Sequence, residues 1–296
     1  MHINEVHMSG ELAQQLLEAS RSVCLEHLEA GLLESTWDVP ALFHSPRWVD
    51  FIDQVAQVWH DRHSLVVRGV PTDNGVTTLL AALSLPAHFK SYRRNKIVKH
   101  FKMSPWTKDL SQTILEGHFH TDLNTASTPP AVTIIHCHKP DPNPEMGESR
   151  VAVLDDLLNE LKTRGAAETL AFLTEAKVDM IDERKQGSWS GSIVERGTIR
   201  FHPETLRAAS LRSHLLPQEL EHHLAVIHDS AMAVSEPIHL ATGDALFVSN
   251  RRALHYRGEC TVKFTKFPRQ FLAREIYVLH LQDEPQWQVL HQKRSM

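Results

Sequence analysis

Cys24, Cys137 and Cys260 are the only cysteines in 296 residues. Their odd number and wide spacing form neither a disulfide framework nor a zinc knuckle, and they suit a reducing compartment. Positive charge is not in excess: 31 Lys and Arg stand against 36 Asp and Glu, a formal net charge of −5. That excludes nucleic-acid binding driven by bulk charge and gives no attraction to an anionic membrane. No apolar run approaches the roughly 18–20 residues that span a bilayer. The opening residues Met1-His2-Ile3-Asn4-Glu5 lack the basic and apolar regions of a secretory signal, so a cytoplasmic location is expected. There is no repeat of fixed period and no low-complexity tract.

What is present is an ordinary globular composition, 42% hydrophobic and 23% charged, enough for a sizeable core. Helical spacing of Leu12, Leu16, Leu17, Val23 and Leu28 after Ser9-Gly10, and of Trp48, Phe51, Ile52, Val55 and Trp59, predicts two N-terminal helices. Residues 64–69 read as a strand stopped by Gly69 and Pro71, and 76–85 as another helix. From about residue 96 the texture becomes short strands, at 118–123, 131–138, 150–154, 177–182, 198–202, 245–249, 252–257 and 270–280. Helices are expected at 155–173 and 217–234, and a mobile loop at 183–192. This pattern predicts a mainly β fold, a sandwich or barrel with flanking α-helices, and argues against alternating βαβ units. We expect one domain over 1–296: a helical flank at 1–63, a strand core with helical insertions at 64–280, and a tail at 281–296.

Histidine is abundant, at 21 residues, and it is the commonest metal-ligand side chain. His120-Thr121-Asp122 sits on an expected strand, where side chains two apart point to one face and can reach one ion. Taken alone the pair means little, because chance supplies as many His-x-acid pairs as the three the chain has. His27/Glu29 falls in an expected helix, where such side chains diverge, and His202/Glu204 flanks Pro203 at an expected turn. Gly243 to Asn250 reads as a turn and buried strand, and the next strand carries His255. Two imidazoles and a carboxylate on rigid strands can form a facial triad for Fe(II) with open positions, whereas a structural zinc site would usually recruit thiolates.

These motifs, in this order, resemble the taurine dioxygenase and clavaminate synthase-like family of Fe(II)/2-oxoglutarate oxygenases, over about residues 64–280. The resemblance rests on His120-Thr121-Asp122 with Pro129-Pro130 behind it, on Gly147-Glu148-Ser149, and on the Gly243-Asp244…Asn250…Leu254-His255-Tyr256-Arg257 segment. It implies a double-stranded β-helix, or jelly roll, with His120, Asp122 and His255 binding iron. It also implies that Arg269, 14 residues past His255, grips the far carboxylate of 2-oxoglutarate, with Ser149 donating a hydrogen bond where the family commonly has Thr. The implied reaction consumes O2, converts 2-oxoglutarate to succinate and CO2, and hydroxylates or desaturates a small polar metabolite such as an amino acid. Ser249 stands where the family often has Asp. Arg274 follows Arg269 by five positions instead of the family's four, which on a flat strand puts the two on opposite faces; either a bulge intervenes or Arg274 has another task, such as a substrate contact.

Other residues carry weaker expectations. His118 shares the expected strand face with the pair and is read as lining the pocket, as is Asn124 beside it, and Trp189 as a lid aromatic or a loop anchor. His136 and His138 read as sheet residues, and Glu221-His222-His223 as a solvated helix face. The basic cluster Arg93, Arg94, Lys96, Lys99 and Lys102 reads as solvated surface. Two rival functions stand beside the oxygenase. One is a cupin-type metal dioxygenase using His118 and His120 without 2-oxoglutarate; the other is a catalytically idle jelly roll that binds a small acid or a partner. A small-molecule substrate is expected, with no nucleic-acid or membrane partner, and a homo-oligomer is open.

Overall fold

The computed structural model describes residues 4–21, 29–30, 45–72, 97–182, 187–210 and 216–283. Strand β1 (Glu5–His7) precedes helix α1 (Gly10–Ser20), and α2 (Pro46–Arg62) precedes β2 (Ser64–Arg68). After β3 (Val98–Lys102), β4 (Val132–Lys139) and β5 (Ser149–Val153) come helices α3 (Leu154–Thr163) and α4 (Ala167–Thr174). The hairpin of β6 (Val178–Asp182) and β7 (Gly187–Gly191) leads to the short pair β8 (Val194–Glu195) and β9 (Thr198–Ile199). Helices α5 (Pro203–Ser210) and α6 (Pro217–Val234) are followed by β10 (Ala245–Ser249) and β11 (Ala253–Arg257). The hairpin of β12 (Val262–Lys266) and β13 (Gln270–Ala273) then feeds β14 (Glu275–Leu281).

Local chemistry explains the helix starts. The Ser9 hydroxyl accepts the N–H of Leu12 at 3.2 Å, and the Ser45 hydroxyl that of Trp48 at 3.3 Å. Each bond satisfies a donor that a first helical turn leaves bare. Pro46 and Pro217 occupy the start of α2 and α6, where proline's missing N–H costs nothing.

Six strands form one sheet in the order β1-β2-β10-β4-β14-β3, antiparallel except at the β1–β2 edge. Alternation sorts its side chains. Leu65, Val67, Val132, Ile134, Phe247 and Leu279 pack outward on Leu12, Leu16, Trp48, Ile52 and Val55 of the two N-terminal helices. Val66, Ile135, Cys137, Leu246, Val248, Ile276 and Val278 face inward, toward Ala253 and Val151 of the second sheet. That sheet is β11 against β5, and its edges are extended by single bridges, His120 with His255 and Ser149 with Ile238. Its far face, with Ala152, Leu254 and Tyr256, is covered by Leu157 and Leu161 of α3, Phe172 of α4 and Leu220, Leu224 and Ile227 of α6. Each such burial contributes about 1.5–3 kcal/mol. A one-residue slip would reverse every face, so the apolar pattern also fixes which polar residues look into the space between the sheets.

Several expectations change. Residues 118–123 are not a strand: only His120 bridges, and a turn follows. The helix expected over 155–173 breaks at Gly165, whose φ of +68° suits a residue without Cβ. The strand expected over 270–280 divides at Arg274, and that over 198–202 is only the two residues of β9. The expected loop at 183–192 contains β7, paired with β6 through Trp189 opposite Met180. His223 is buried, stacked on Phe172 with ring centroids 4.5 Å apart, and does not lie on a solvated face. Strands β1, β3, β8 and β12 and helix α5 were not anticipated. Val23, Cys24, His27, Leu28, the helix at 76–85, Arg93, Arg94, Lys96, residues 183–186 and the tail from 284 lie outside the described residues. Among the described residues no helix is long and apolar enough to cross a membrane.

His136 sits on the outward face of β4 with both ring nitrogens buried and without partners among the described residues. Burial, aided by neighbouring His138, pushes it down to about 3. Below its unfolded value near 6.5 the unfolded chain binds a proton that the folded chain refuses, so stability falls as pH drops from about 6.5 toward 3. Between pH 8 and pH 5 this amounts to about 2 kcal/mol. In urea unfolding of the metal-free protein at those two pH values, His136→Leu is expected to remove that much of the acid-side loss. An unchanged loss would contradict it.

Candidate metal centre

The segment Gly117–His120 runs beside β11. Gly117 donates to the Arg257 carbonyl at 2.8 Å, and His120 and His255 exchange backbone hydrogen bonds of 3.0 and 3.1 Å. The two imidazoles are thereby fixed side by side, ring centroids 4.3 Å apart. The Nδ1 of His120 lies 2.7 Å from the His118 carbonyl, which leaves Nε2 as the atom facing Asp122. Asp122 arrives through a turn and not along a strand pleat, with the next residue, Leu123, at φ +52°. Asn250 clamps it: its Oδ1 accepts the Asp122 N–H at 2.7 Å, and its Nδ2 donates to the Asp122 carbonyl at 3.0 Å and to that of Pro130 at 3.1 Å. The Asp122 carboxylate then lies 3.7 Å from His120 Nε2 and 3.6 Å from His255 Nε2.

One ligand atom from each of His120, Asp122 and His255 falls within 4.8 Å of the other two. Residues 120, 122 and 255, remote in sequence, thus converge on a space one cation can occupy. Burial pushes His255 down to about 3, with the His120 ring adding to the effect, so its imidazole is neutral, the form that binds metal. Burial also works against a charge on His120, yet the Asp122 carboxylate outweighs it and raises His120. For Asp122 burial would favour the acid form, but the surrounding imidazoles, with hydrogen bonds from His120 and His280, hold its carboxyl well below the usual range. An ionised carboxylate and two imidazoles form a donor set suited to Fe(II).

The structure places the other expected residues variously. Arg269 is exposed in the turn between β12 and β13. Arg274 is the buried one, 2% exposed, and its Nη2 donates to Ser149 Oγ at 3.1 Å. The two arginines part for a physical reason: the chain leaves the sheet between β11 and β14 to make the β12–β13 hairpin, and Arg269 is at its tip. Among the described residues no carboxylate lies within ion-pair distance of Arg274. A buried cation facing only a hydroxyl is a place for an anionic ligand. Gly147 explains part of the cradle, since a Cβ there would meet the Arg274 side chain at 3.3 Å and Asp141 at 3.1 Å.

His118 is engaged by Glu204, Nε2 to Oε1 3.3 Å, and is not one of the converging donors. Asn124 is buried, its amide donating to Thr205 Oγ1 at 2.7 Å and Met180 Sδ at 3.0 Å, which ties its turn to α5 and β6. Trp189 packs against the helix-covered core, with the Arg200 guanidinium 4.8 Å over its ring. Sequence reasoning missed three neighbours of the centre. His202, set aside as a turn residue, places its ring 5.0 Å from that of His120, and burial pushes it down to about 3. His280 Nε2 and Thr133 Oγ1 stand 3.0 and 2.8 Å from Asp122 Oδ2. The available signal for His280 was a polar residue in register with inward Ile276 and Val278.

Comparison with known proteins agrees with this geometry. Residues 43–266 match the sequence profile described as taurine catabolism dioxygenase TauD, TfdA family. No curated protein matches the chain. Among solved structures, asparagine oxygenase in complex with Fe(II), 2S,3S-3-hydroxyasparagine and succinate aligns over 99% of this chain and 96% of its own, at TM-score 0.62 and 15% identity. The non-heme iron oxygenase OrfP, in complex with Fe, succinate and (3S)-hydroxy-L-Arg, aligns over the same shares at TM-score 0.67 and 15% identity. A further OrfP structure, with Fe and alpha-ketoglutaric acid, gives 0.65 at 15%. The profile covers three quarters of the sequence, and the chain belongs to the TauD/TfdA dioxygenase family.

Proposed function

We propose that His120, Asp122 and His255 hold Fe(II), that Arg274 and Ser149 hold the far carboxylate of 2-oxoglutarate, and that the enzyme hydroxylates a free amino acid or a similar small polar metabolite. The family is one of Fe(II)/2-oxoglutarate-dependent oxygenases, and the chain is such an enzyme. The observation that carries the assignment of residues is the pairing of three converging donors with a buried, carboxylate-free guanidinium: Ser149 and Arg257 are register partners in β5 and β11, two positions from the pair Val151 and His255. Bound Fe(II) with 2-oxoglutarate and O2 would supply an oxidant able to attack an unactivated C–H bond, with succinate and CO2 as the other products.

The protein's own part is orientation and exclusion of water. Arg274 offers a guanidinium fork that matches a carboxylate in two bonds, and Ser149 offers a third donor. The His118 carbonyl fixes the His120 tautomer, and Asn250 fixes the Asp122 backbone. The amino-acid part of the reading is supported by the hydroxylated asparagine and arginine in the similar structures. Two opposed sheets, with bridges at the edges of the smaller one, support the double-stranded β-helix, and we take 1–296 as a single catalytic domain. Buried free Cys137 and Cys260 support a reducing, cytoplasmic setting. The partner is a small molecule, without nucleic acid or membrane, and self-association is compatible with the fold. The cupin-type reading loses support because its second histidine, His118, is engaged by Glu204.

The test is direct. Under anaerobic conditions Fe(II) and 2-oxoglutarate together are expected to give a weak visible charge-transfer band. In air, free amino acids are expected to raise succinate release above the uncoupled background. Absence of both signals would favour an idle binding protein.

A further inference from the structure

The two oxygens of the Asp122 carboxylate have different surroundings. Oδ2 faces two donors, Thr133 Oγ1 at 2.8 Å and His280 Nε2 at 3.0 Å. Among the described residues Oδ1 accepts no such hydrogen bond; it lies 3.7 Å from His120 Nε2, while Oδ2 is also 3.6 Å from His255 Nε2. Both donors come from the larger sheet, where Thr133 on β4 and His280 on β14 are direct register partners, so the pair reaches Asp122 as one rigid unit. The His280 Nδ1 is buried with no partner among the described residues. A proton there would be an unpaired buried donor, whereas on Nε2 it meets the carboxylate. An N–H at Nε2 therefore meets Oδ2 beside the Thr133 hydroxyl, so two donors converge on that one oxygen.

From this we infer that His280 and Thr133 are positioning residues that hold Asp122 as a one-oxygen ligand. The inference rests on the reading of His120, Asp122 and His255 as the ligand set. Its consequence is one of counting. An ion held by two imidazoles and one carboxylate oxygen would keep positions open for the oxo-acid and O2. A carboxylate free to turn and bind through both oxygens would close one of them. Asn250 anchors only the Asp122 backbone, so the sheet pair is what selects the oxygen.

Mn(II) alone is the probe, added to the full chain without 2-oxoglutarate. Its affinity and its number of exchangeable waters, counted by water-proton relaxation, are readouts independent of turnover. His280→Leu is expected to weaken Mn(II) binding by about 10- to 100-fold and to lose one exchangeable water, and His280→Gln, which keeps an N–H donor, to recover both largely. Thr133→Val removes the other donor with little change of volume and is expected to act in the same direction; it decides the matter if the His280 variants do not fold, as read from metal-free melting curves. Affinity within about twofold of the parent with an unchanged water count, or a Gln variant no better than Leu, would overturn the inference while leaving the ligand set intact. A parent protein that takes up no Mn(II) would overturn both.

Discussion

Replacing His255 with alanine is expected to abolish stoichiometric Fe(II) binding and to lower 2-oxoglutarate-dependent succinate formation by roughly a thousandfold. The figure follows from what the substitution leaves behind. Asp122 is an ionised carboxylate held in place by Asn250, Thr133 and His280, and it cannot move to replace a lost partner. Stranding such a group costs about 3–5 kcal/mol, and each 1.4 kcal/mol is a factor of ten. The fold should survive, because the backbone bonds between His120 and His255 do not involve the ring. His118→Ala is the control. Its ring pairs with Glu204 and is not one of the converging donors, and the carbonyl that holds His120 is retained, so metal content is expected to stay near that of the parent. Metal analysis and succinate release of the two variants separate the readings. Loss of metal in His118→Ala with retention in His255→Ala would move the centre to the cupin-type arrangement.

How much of this was legible in the sequence depended on how local the signal was. Helix α6 begins and ends where periodicity and Pro217 place it, and β10 and β11 fall within a residue of their expected bounds, because turn residues and apolar runs mark them. Strand β1 escaped notice since an alternation of three residues is too short to stand out, and α5 because His202-Pro203 looks like a turn when proline in fact opens a helix. The converging residues at 120, 122 and 255 were found through short motifs, although the argument from a strand pleat was wrong: the carboxylate is delivered by a turn that only Asn250, 128 positions away, holds in place. His280, Thr133 and His202 could not be found that way. Their roles follow from sheet register and from a contact between distant segments, neither of which leaves a fixed spacing in the chain.

The arginine pair makes the same point and carries the second large prediction. Arg274→Gln is expected to raise the KM for 2-oxoglutarate by about 100- to 1000-fold, while Arg269→Gln leaves it within about twofold. The spacing from His255 favoured Arg269, but spacing counts residues that the hairpin spends outside the sheet. Arg269 ends in water, where a cation–anion contact contributes about 1 kcal/mol or less. Arg274 lies just before β14, 2% exposed, braced by Gly147 and bonded to Ser149. There a guanidinium paired with a carboxylate is shielded from water, and losing it leaves the ligand's charge buried and unmatched, a cost of about 3–5 kcal/mol. Arg274→Lys keeps the charge without the fork and is expected to fall between parent and Gln. Because the proposed Fe(II) ligands are other residues, metal content should be unchanged in all three variants, which distinguishes a lost co-substrate contact from a collapsed centre. The opposite order, a large KM effect at Arg269 and none at Arg274, would mean that the hairpin folds back over the site when 2-oxoglutarate binds.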